Sequence, residues 1–272
     1  MRTVKTIHDY EHLDLTDENF IFRGQANDSY ELLPGTYRPE NDVKIQGPKL
    51  EIDCIRSFIY HLWERGYHTF PEDINAYNIF TTSSCVFPTD DMLPYMAVAQ
   101  HYVCDSEYYW LTTSLLDITY SLDIAAYFAI NADFEHDGKI FVFNKSTIKP
   151  PYMVYEPHLS KRKEARMIVQ NGAFIYRQQE YQSEGEMFSY RDLKSFDDIV
   201  EETIIIPSFF KEELRDHLRK KLFDNILLPK LILGPITVYM PSTGKRIYDE
   251  LLMLHKQEID RAQNAGNRHS NY

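Results

Sequence analysis

Two hydrophobic rhythms alternate along this chain: short apolar runs of strand length, and stretches in which apolar residues return every three or four positions. Phe20-Ile21-Phe22 is of the first kind and predicts a buried strand that delivers Arg23, Gly24 and Gln25 at its end. Between Pro48 and Trp63, Leu50, Cys54, Ile55, Phe58, Ile59 and Leu62 repeat at helical spacing, with Pro48 suited to the first helical position and Gly66 to the C-terminal cap. A second helix is expected over about Asp91 to Tyr102, with Met92, Tyr95, Met96 and Ala99 on one face. Leu115-Leu116 ends a strand, and Ser121 is a suitable N-cap for a helix whose apolar stripe is Leu122, Ala125, Ala126, Ala129 and Ile130. Those alanines allow another backbone, or a ligand, to come close. Gly138 to Phe143 and Thr203 to Ile206 predict further strands, and Pro150-Pro151 breaks the chain. Arg162 to Tyr176 reads as two short strands or one bulged strand, irregular at Gly172, and polar Gln178 to Ser195 as a long loop or hairpin. Ser208 is expected to cap a helix from about Lys211 to Leu222, and a last helix runs from about Gly244 to Ala262.

Strands and helices without regular βαβ alternation predict an α+β fold, with mixed or antiparallel central sheets and flanking helices. No repeat and no Gly-, Pro- or Ser-rich linker divides the chain, so residues 1–263 are expected to form a single domain with a helical C-terminal part, followed by a flexible tail over 264–272.

Composition narrows the class. The net charge of -12 over 272 residues argues against a general nucleic-acid coat, which needs an excess of Lys and Arg to neutralise phosphates. Cys54, Cys85 and Cys104 are odd in number and lack paired short spacing, which predicts reduced thiols in a cytoplasmic protein and no structural metal. The charged N-terminus and the lack of any 18-residue apolar run predict neither export nor membrane insertion.

The candidate chemistry is polar and scattered. An arginine leaving a core strand loses hydration unless it meets an anion or a carboxylate, so Arg23 is a candidate phosphate contact or a structural partner of one of the many acidic residues, and Gly24 beside it permits close approach. Arg38, in the loop after Pro34-Gly35, could converge on the same phosphate. Asp117, Thr119 and Ser121 gather three oxygen-bearing side chains beside a helix N-terminus, where an anion or nucleotide can be held; the same trio equally serves to cap the helix and end the strand. His101 is either a hydrogen-bonded core residue or an acid-base group.

The order of these segments resembles the FRG domain family, whose Phe-Arg-Gly signature is here Phe22-Arg23-Gly24. The family's Gln-His-Tyr corresponds to Gln100-His101-Tyr102, and its Leu-Leu-Asp block to Leu115-Leu116-Asp117. Thr119, Ser121 and the Ala-rich helix follow, and Arg166 with Gln170-Asn171-Gly172-Ala173-Phe174 completes the pattern. Two positions depart from it: Val103 stands where Gly is usual, followed by an insertion of several residues, and Ser114 where Arg is usual; if that Arg contacts a ligand phosphate in the family, the contact is lost or relocated here. The resemblance implies, more distantly, an ADP-ribosyltransferase-like core. In that superfamily the first-strand Arg contacts NAD, a Thr/Ser-bearing strand precedes a small-residue helix, and a Glu on a later strand completes the site. Gln170 stands where that Glu is sought, with Glu164 and Glu180 as nearby substitutes. Implied with it are NAD as a possible cofactor, ADP-ribosyl transfer or NAD cleavage, a protein or nucleic-acid target, and a place in phage defence. The alternatives are a non-catalytic module that recognises a nucleotide or nucleic-acid end, and a structural interaction protein.

Overall fold

A computed structural model describes residues 1–35, 93, 96, 97, 113–156, 170–177 and 195–222. The chain divides into two compact units, one formed by Met1–Arg38, Ser114–Gln182 and Leu193–Ile236, the other by Pro39–Thr113, Ser183–Asp192 and Thr237–Tyr272. Of the second unit, the described residues include Leu93, Met96 and Ala97, buried helical positions within the helix expected over Asp91 to Tyr102; Met96 belongs to the face expected there, Leu93 and Ala97 do not, and Met92, Tyr95 and Ala99 lie outside the described residues. The helices expected at Pro48–Trp63 and Gly244–Ala262, and the tail over 264–272, lie outside the described residues.

The first unit is built on a seven-stranded sheet. Its strands are β1 (Arg2–Thr3), β2 (Phe20–Gln25), β3 (Leu116–Thr119), β4 (Gly138–Asn144), β5 (Tyr152–Tyr155), β6 (Gly172–Arg177) and β7 (Glu202–Ile206). Their spatial order is β1-β7-β4-β2-β3-β6-β5. Every neighbouring pair is antiparallel except β1 with β7, so the sheet is mixed and the α+β expectation holds. Among the described residues three α-helices accompany it: α1 (Ile7–Glu11), α2 (Leu122–Ile130) and α3 (Lys211–Leu222).

Strand alternation gives the sheet two apolar faces. Phe22, Ile140, Val142, Ile204 and Ile206 pack with Ala125, Ala126, Ala129, Tyr10, Leu214 and Leu218, which places α2 and its neighbouring helices over one face. Ile21, Leu116, Ile118, Phe141, Phe143, Ala173 and Ile175 form a second cluster with Leu32, Tyr152 and Phe196 on the other. A helix of only nine residues is marginal by itself in water. Here Ile124, Ala125, Ala126, Tyr127, Ala129 and Ile130 are all buried, so burial between sheet and helices holds α2 in place.

Two sequence expectations change. Ser208 opens a short 3-10 turn, Ser208–Phe210, with no side-chain cap, and its backbone N–H donates to Asp137 Oδ1 at 2.8 Å. The irregular point before β6 is Asn171, in the left-handed region at φ 45°, and Gly172 is the first residue of a regular strand. Segments β1, α1 and β5 lack enough residues to show a period, and sequence pattern did not reveal them.

Candidate functional site

The sheet is continuous except at one seam. β2 pairs with β4 over six residues and β3 with β6 over four, yet β2 meets β3 at the single pair Phe22↔Thr119. Beyond that pair the ladder opens, along Arg23-Gly24-Gln25 on one side and Leu116-Asp117-Ile118 on the other. Arg23 crosses the gap: its Nη1 donates to the Asp117 carbonyl at 2.7 Å and lies 3.9 Å from Asp117 Oδ2. The arginine side chain is 11% exposed and the aspartate 44%, so a largely buried guanidinium meets a carboxylate that reaches solvent.

Gly24 lies beneath helix α2. A Cβ built there would sit 1.9 Å from the Ala125 carbonyl oxygen and 2.9 Å from Ala129 N. Gly138 makes the same approach from β4, where a Cβ would come within 2.2 Å of the Ala129 carbonyl oxygen. The room that the glycine and the alanines provide is therefore filled, on this face, by the chain's own backbone. Gln25 is buried; its Nε2 donates to the Glu31 carbonyl at 3.3 Å and its Oε1 accepts no hydrogen bond.

The turn that leads into α2 uses its hydroxyls internally. Thr119 Oγ1 donates to the Gln170 carbonyl at 2.6 Å and accepts from Ser121 N at 3.0 Å. Ser121 Oγ caps the helix by accepting from Ile124 N at 3.4 Å. Asp123, in the first turn, accepts from Tyr10 OH at 2.7 Å and from Lys221 Nζ at 3.1 Å, so the positive helix end already faces a carboxylate. Burial, and then Asp123, pushes the Tyr10 hydroxyl far above its ordinary value. Gln170 is buried and adjoins Thr119 through its backbone.

The structure thus brings Arg23, Gly24, Gln25, Asp117, Thr119, Ser121 and Gln170 to one junction of β2, β3, β6 and α2. Arg38, His101, Glu164 and Glu180 lie outside the described residues.

A second polar cluster, at the other end of α2, escaped the sequence reading. Lys211, the first residue of α3, is fully buried, and its ammonium donates to the carbonyls of Ala26 at 2.5 Å, Asp133 at 2.6 Å and Ala132 at 3.4 Å. Burial lowers its pKa, while Asp133, Asp137 and Asp28 act in the opposite direction. Lys221 at the far end of α3 reaches the start of α2, and Lys211 reaches its end, so the two helices run antiparallel with a cation at each junction. A lysine in a first helical turn, where the macrodipole disfavours positive charge, is the signal that could have marked it.

Beside this cluster, Asp133 (φ 51°) accepts from Asn27 Nδ2 at 2.6 Å and pairs with His136 Nδ1 at 2.7 Å. The His136 bond, then that from Asn27, holds Asp133 below its usual 3.8, and Asp133 holds His136 above its usual 6.5. The histidine's contribution is complete below 6.5 and is lost as pH rises through its raised value. The aspartate's is complete above 3.8 and is lost as pH falls through its lowered value. Melting temperature is therefore expected to decline from pH 6 to pH 8. That decline should be smaller in His136→Asn, and an unchanged slope in the variant would place the titration elsewhere.

Among the described residues no helix is long and apolar enough to cross a membrane. Comparisons with curated proteins and with solved structures gave no match. The family comparison did: residues 18–138, which take in β2, β3 and α2 and end on Gly138, match the model of the FRG domain.

Proposed function

We propose that the seam between β2 and β3 binds an NAD-type nucleotide through Arg23, and that the chain cleaves NAD or transfers ADP-ribose, acting in the cytoplasm in conflict between bacteria and phages. The observation that carries this reading is the opening of the ladder at Arg23. A continuous sheet would cover the strand edges with each other, whereas here a mostly buried cation stands where the strands part. Gln25, two residues on and on the same strand face, adds a buried acceptor that a ribose hydroxyl or a carboxamide N–H would satisfy. Together they fit a ligand with an anion at one point and donors nearby. The ADP-ribosyltransferase-like core belongs to the same proposal and rests on the order Arg23, Thr119, Ser121 and the small-residue helix. Arg23 would hold a phosphate, Gln25 would bind ribose or amide, and NAD would supply the glycosidic bond that breaks.

A second reading keeps the ligand and removes the chemistry: a module that recognises a nucleotide or a nucleic-acid end. It is favoured by the internal use of the Thr119 and Ser121 hydroxyls and by the burial of Gln170, a neutral amide that supplies no charge to a cationic transition state. Incubation of the protein with labelled NAD and cell lysate separates the two. Release of nicotinamide, or label on protein or nucleic acid, that disappears in Arg23→Ala establishes the enzyme. Equal signal from both proteins, or none from either, contradicts it.

A further inference from the structure

Three aromatic side chains stand in solvent at the end of the sheet unit that holds Lys211. Of the four large apolar side chains exposed among the described residues, one is the terminal Met1; the others are Phe209, 73% exposed, Tyr30, 47%, and Phe134, 41%. Hydrogen bonds tie their three segments to one place. Ser208 N, beside Phe209, donates to Asp137 Oδ1 at 2.8 Å, and Lys211 Nζ donates to the carbonyl of Asp133, beside Phe134, at 2.6 Å. Asn27 Nδ2 donates to Asp133 Oδ2 at 2.6 Å, and the Asn27 carbonyl accepts from Tyr30 N at 3.3 Å. Segments far apart in sequence thus each bring one exposed ring to the same end. A single exposed ring is ordinary, whereas a group of them marks a surface that another molecule covers.

The charge around the rings selects that molecule. Glu31, Glu135, Glu212 and Glu213 are exposed on the same segments. The cations of residues 26–35, 132–139 and 208–216 are all engaged within the chain. Lys211 is buried on three carbonyls, Lys139 Nζ donates to the Asp28 carbonyl, His136 pairs with Asp133, and Arg215 lies 3.7 Å from Glu212. A surface of this sign repels phosphate, which sets aside nucleic acids and anionic membranes; aromatic platforms that stack bases are placed among Lys and Arg. Arg215 shows what these rings accept instead. Its guanidinium lies over the Phe134 ring, 4.9 Å from the centroid, with the Glu212 carboxylate beside it.

We infer that Tyr30, Phe134 and Phe209, rimmed by Glu31, Glu135, Glu212 and Glu213, form a docking surface for a basic protein segment. Apolar side chains of the partner cover the rings, and its Arg or Lys side chains meet the carboxylates, repeating the contact that Arg215 makes with Phe134 and Glu212. The rings supply the buried area and the rim supplies attraction and choice of partner. A second copy of this chain fits less well, since it carries the same net charge of -12. Arg23 takes no part, so failure of nucleotide binding leaves the docking surface standing.

The test uses the full chain and a fluorescent amphipathic peptide of about 18 residues, with leucine on one helical face and arginine on the other. Followed by anisotropy, wild type is expected to bind it. Phe209→Ser, and separately the pair Glu212→Lys with Glu213→Lys, should each weaken binding at least about tenfold, the scale of losing an aromatic anchor or close interfacial charges. Phe209 is largely exposed, so its variant should keep the wild-type melting temperature. Asp14→Lys with Glu18→Lys reverses two exposed carboxylates ahead of β2, away from the rings, and should change binding by no more than about twofold at physiological salt. Absence of binding to wild type, equal binding to Phe209→Ser, or equal loss from the two charge reversals overturns the inference. So does undiminished binding of a peptide with serine in place of leucine, which would reduce the contact to bulk charge. A wild-type dimer in ultracentrifugation that Phe209→Ser dissociates would give the surface to a second copy, and overturns it as well.

Discussion

Replacing Gly24 with alanine is expected to destabilise the sheet unit by about 3 kcal/mol or more, at or beyond the upper end of ordinary overpacking. The added methyl would lie 1.9 Å from the Ala125 carbonyl oxygen and 2.9 Å from Ala129 N, and both are backbone atoms of α2 that no rotamer change can move. To admit it, the helix must lift from β2 along the contact that also holds Gly138 against Ala129. Ala125→Gly should not rescue the variant, because the obstructing atom is a carbonyl oxygen and not the Ala125 side chain. Urea denaturation followed by circular dichroism measures the effect. A Gly24→Ala protein with wild-type stability would show that α2 does not lie on β2 at this point.

Lys211→Met is expected to cost on the order of 3 kcal/mol. Methionine retains most of the apolar stem and removes the ammonium, which leaves the carbonyls of Ala26, Ala132 and Asp133 buried without that donor. Two of those carbonyls lie just past the end of α2, and one follows β2, so the loss should loosen the segment after Gln25 as well as the docking of α3. Hydrogen exchange should therefore accelerate in α3 and in residues 26–29 together. A urea midpoint within error of wild type would contradict the account, because it would mean that the ammonium and its three acceptors contribute no more than a solvated lysine.

The parts of the fold that could be read from sequence are those in which local chemistry and tertiary packing agree. Phe20-Ile21-Phe22 had to be buried, and Ser121 had to cap a helix carrying Ala125 and Ala129, because each requirement follows from neighbours within a few residues. The alanine stripe correctly signalled a close approach, but a stripe of small residues does not say what approaches it; Gly24, about a hundred residues away, supplies the answer. β1 and β5, of two and four residues, exist as strands through pairing with β7 and β6, information that no short window contains. Ser208 has the chemistry of a cap and is used otherwise because it lies inside the 3-10 turn that leads into α3, where Pro207 holds the cap position. The junction of Arg23, Asp117, Thr119, Ser121 and Gln170 was legible as an order of residues. The opening of the ladder between β2 and β3, which makes that junction a candidate site, is a property of register and was not.

The account turns on whether the seam at Arg23 takes a nucleotide, and a thermal shift titration tests it most directly. NAD and ADP-ribose are added at millimolar concentration to wild type and to Arg23→Gln, which removes the cation and keeps a polar side chain on the strand. Each melting temperature is compared with that protein's own ligand-free value. A ligand that binds only the folded state at a hundred times its Kd adds about 2.7 kcal/mol of stability, so a rise of several degrees is predicted for wild type and none for Arg23→Gln. No rise in wild type, or an equal rise in both proteins, would contradict it.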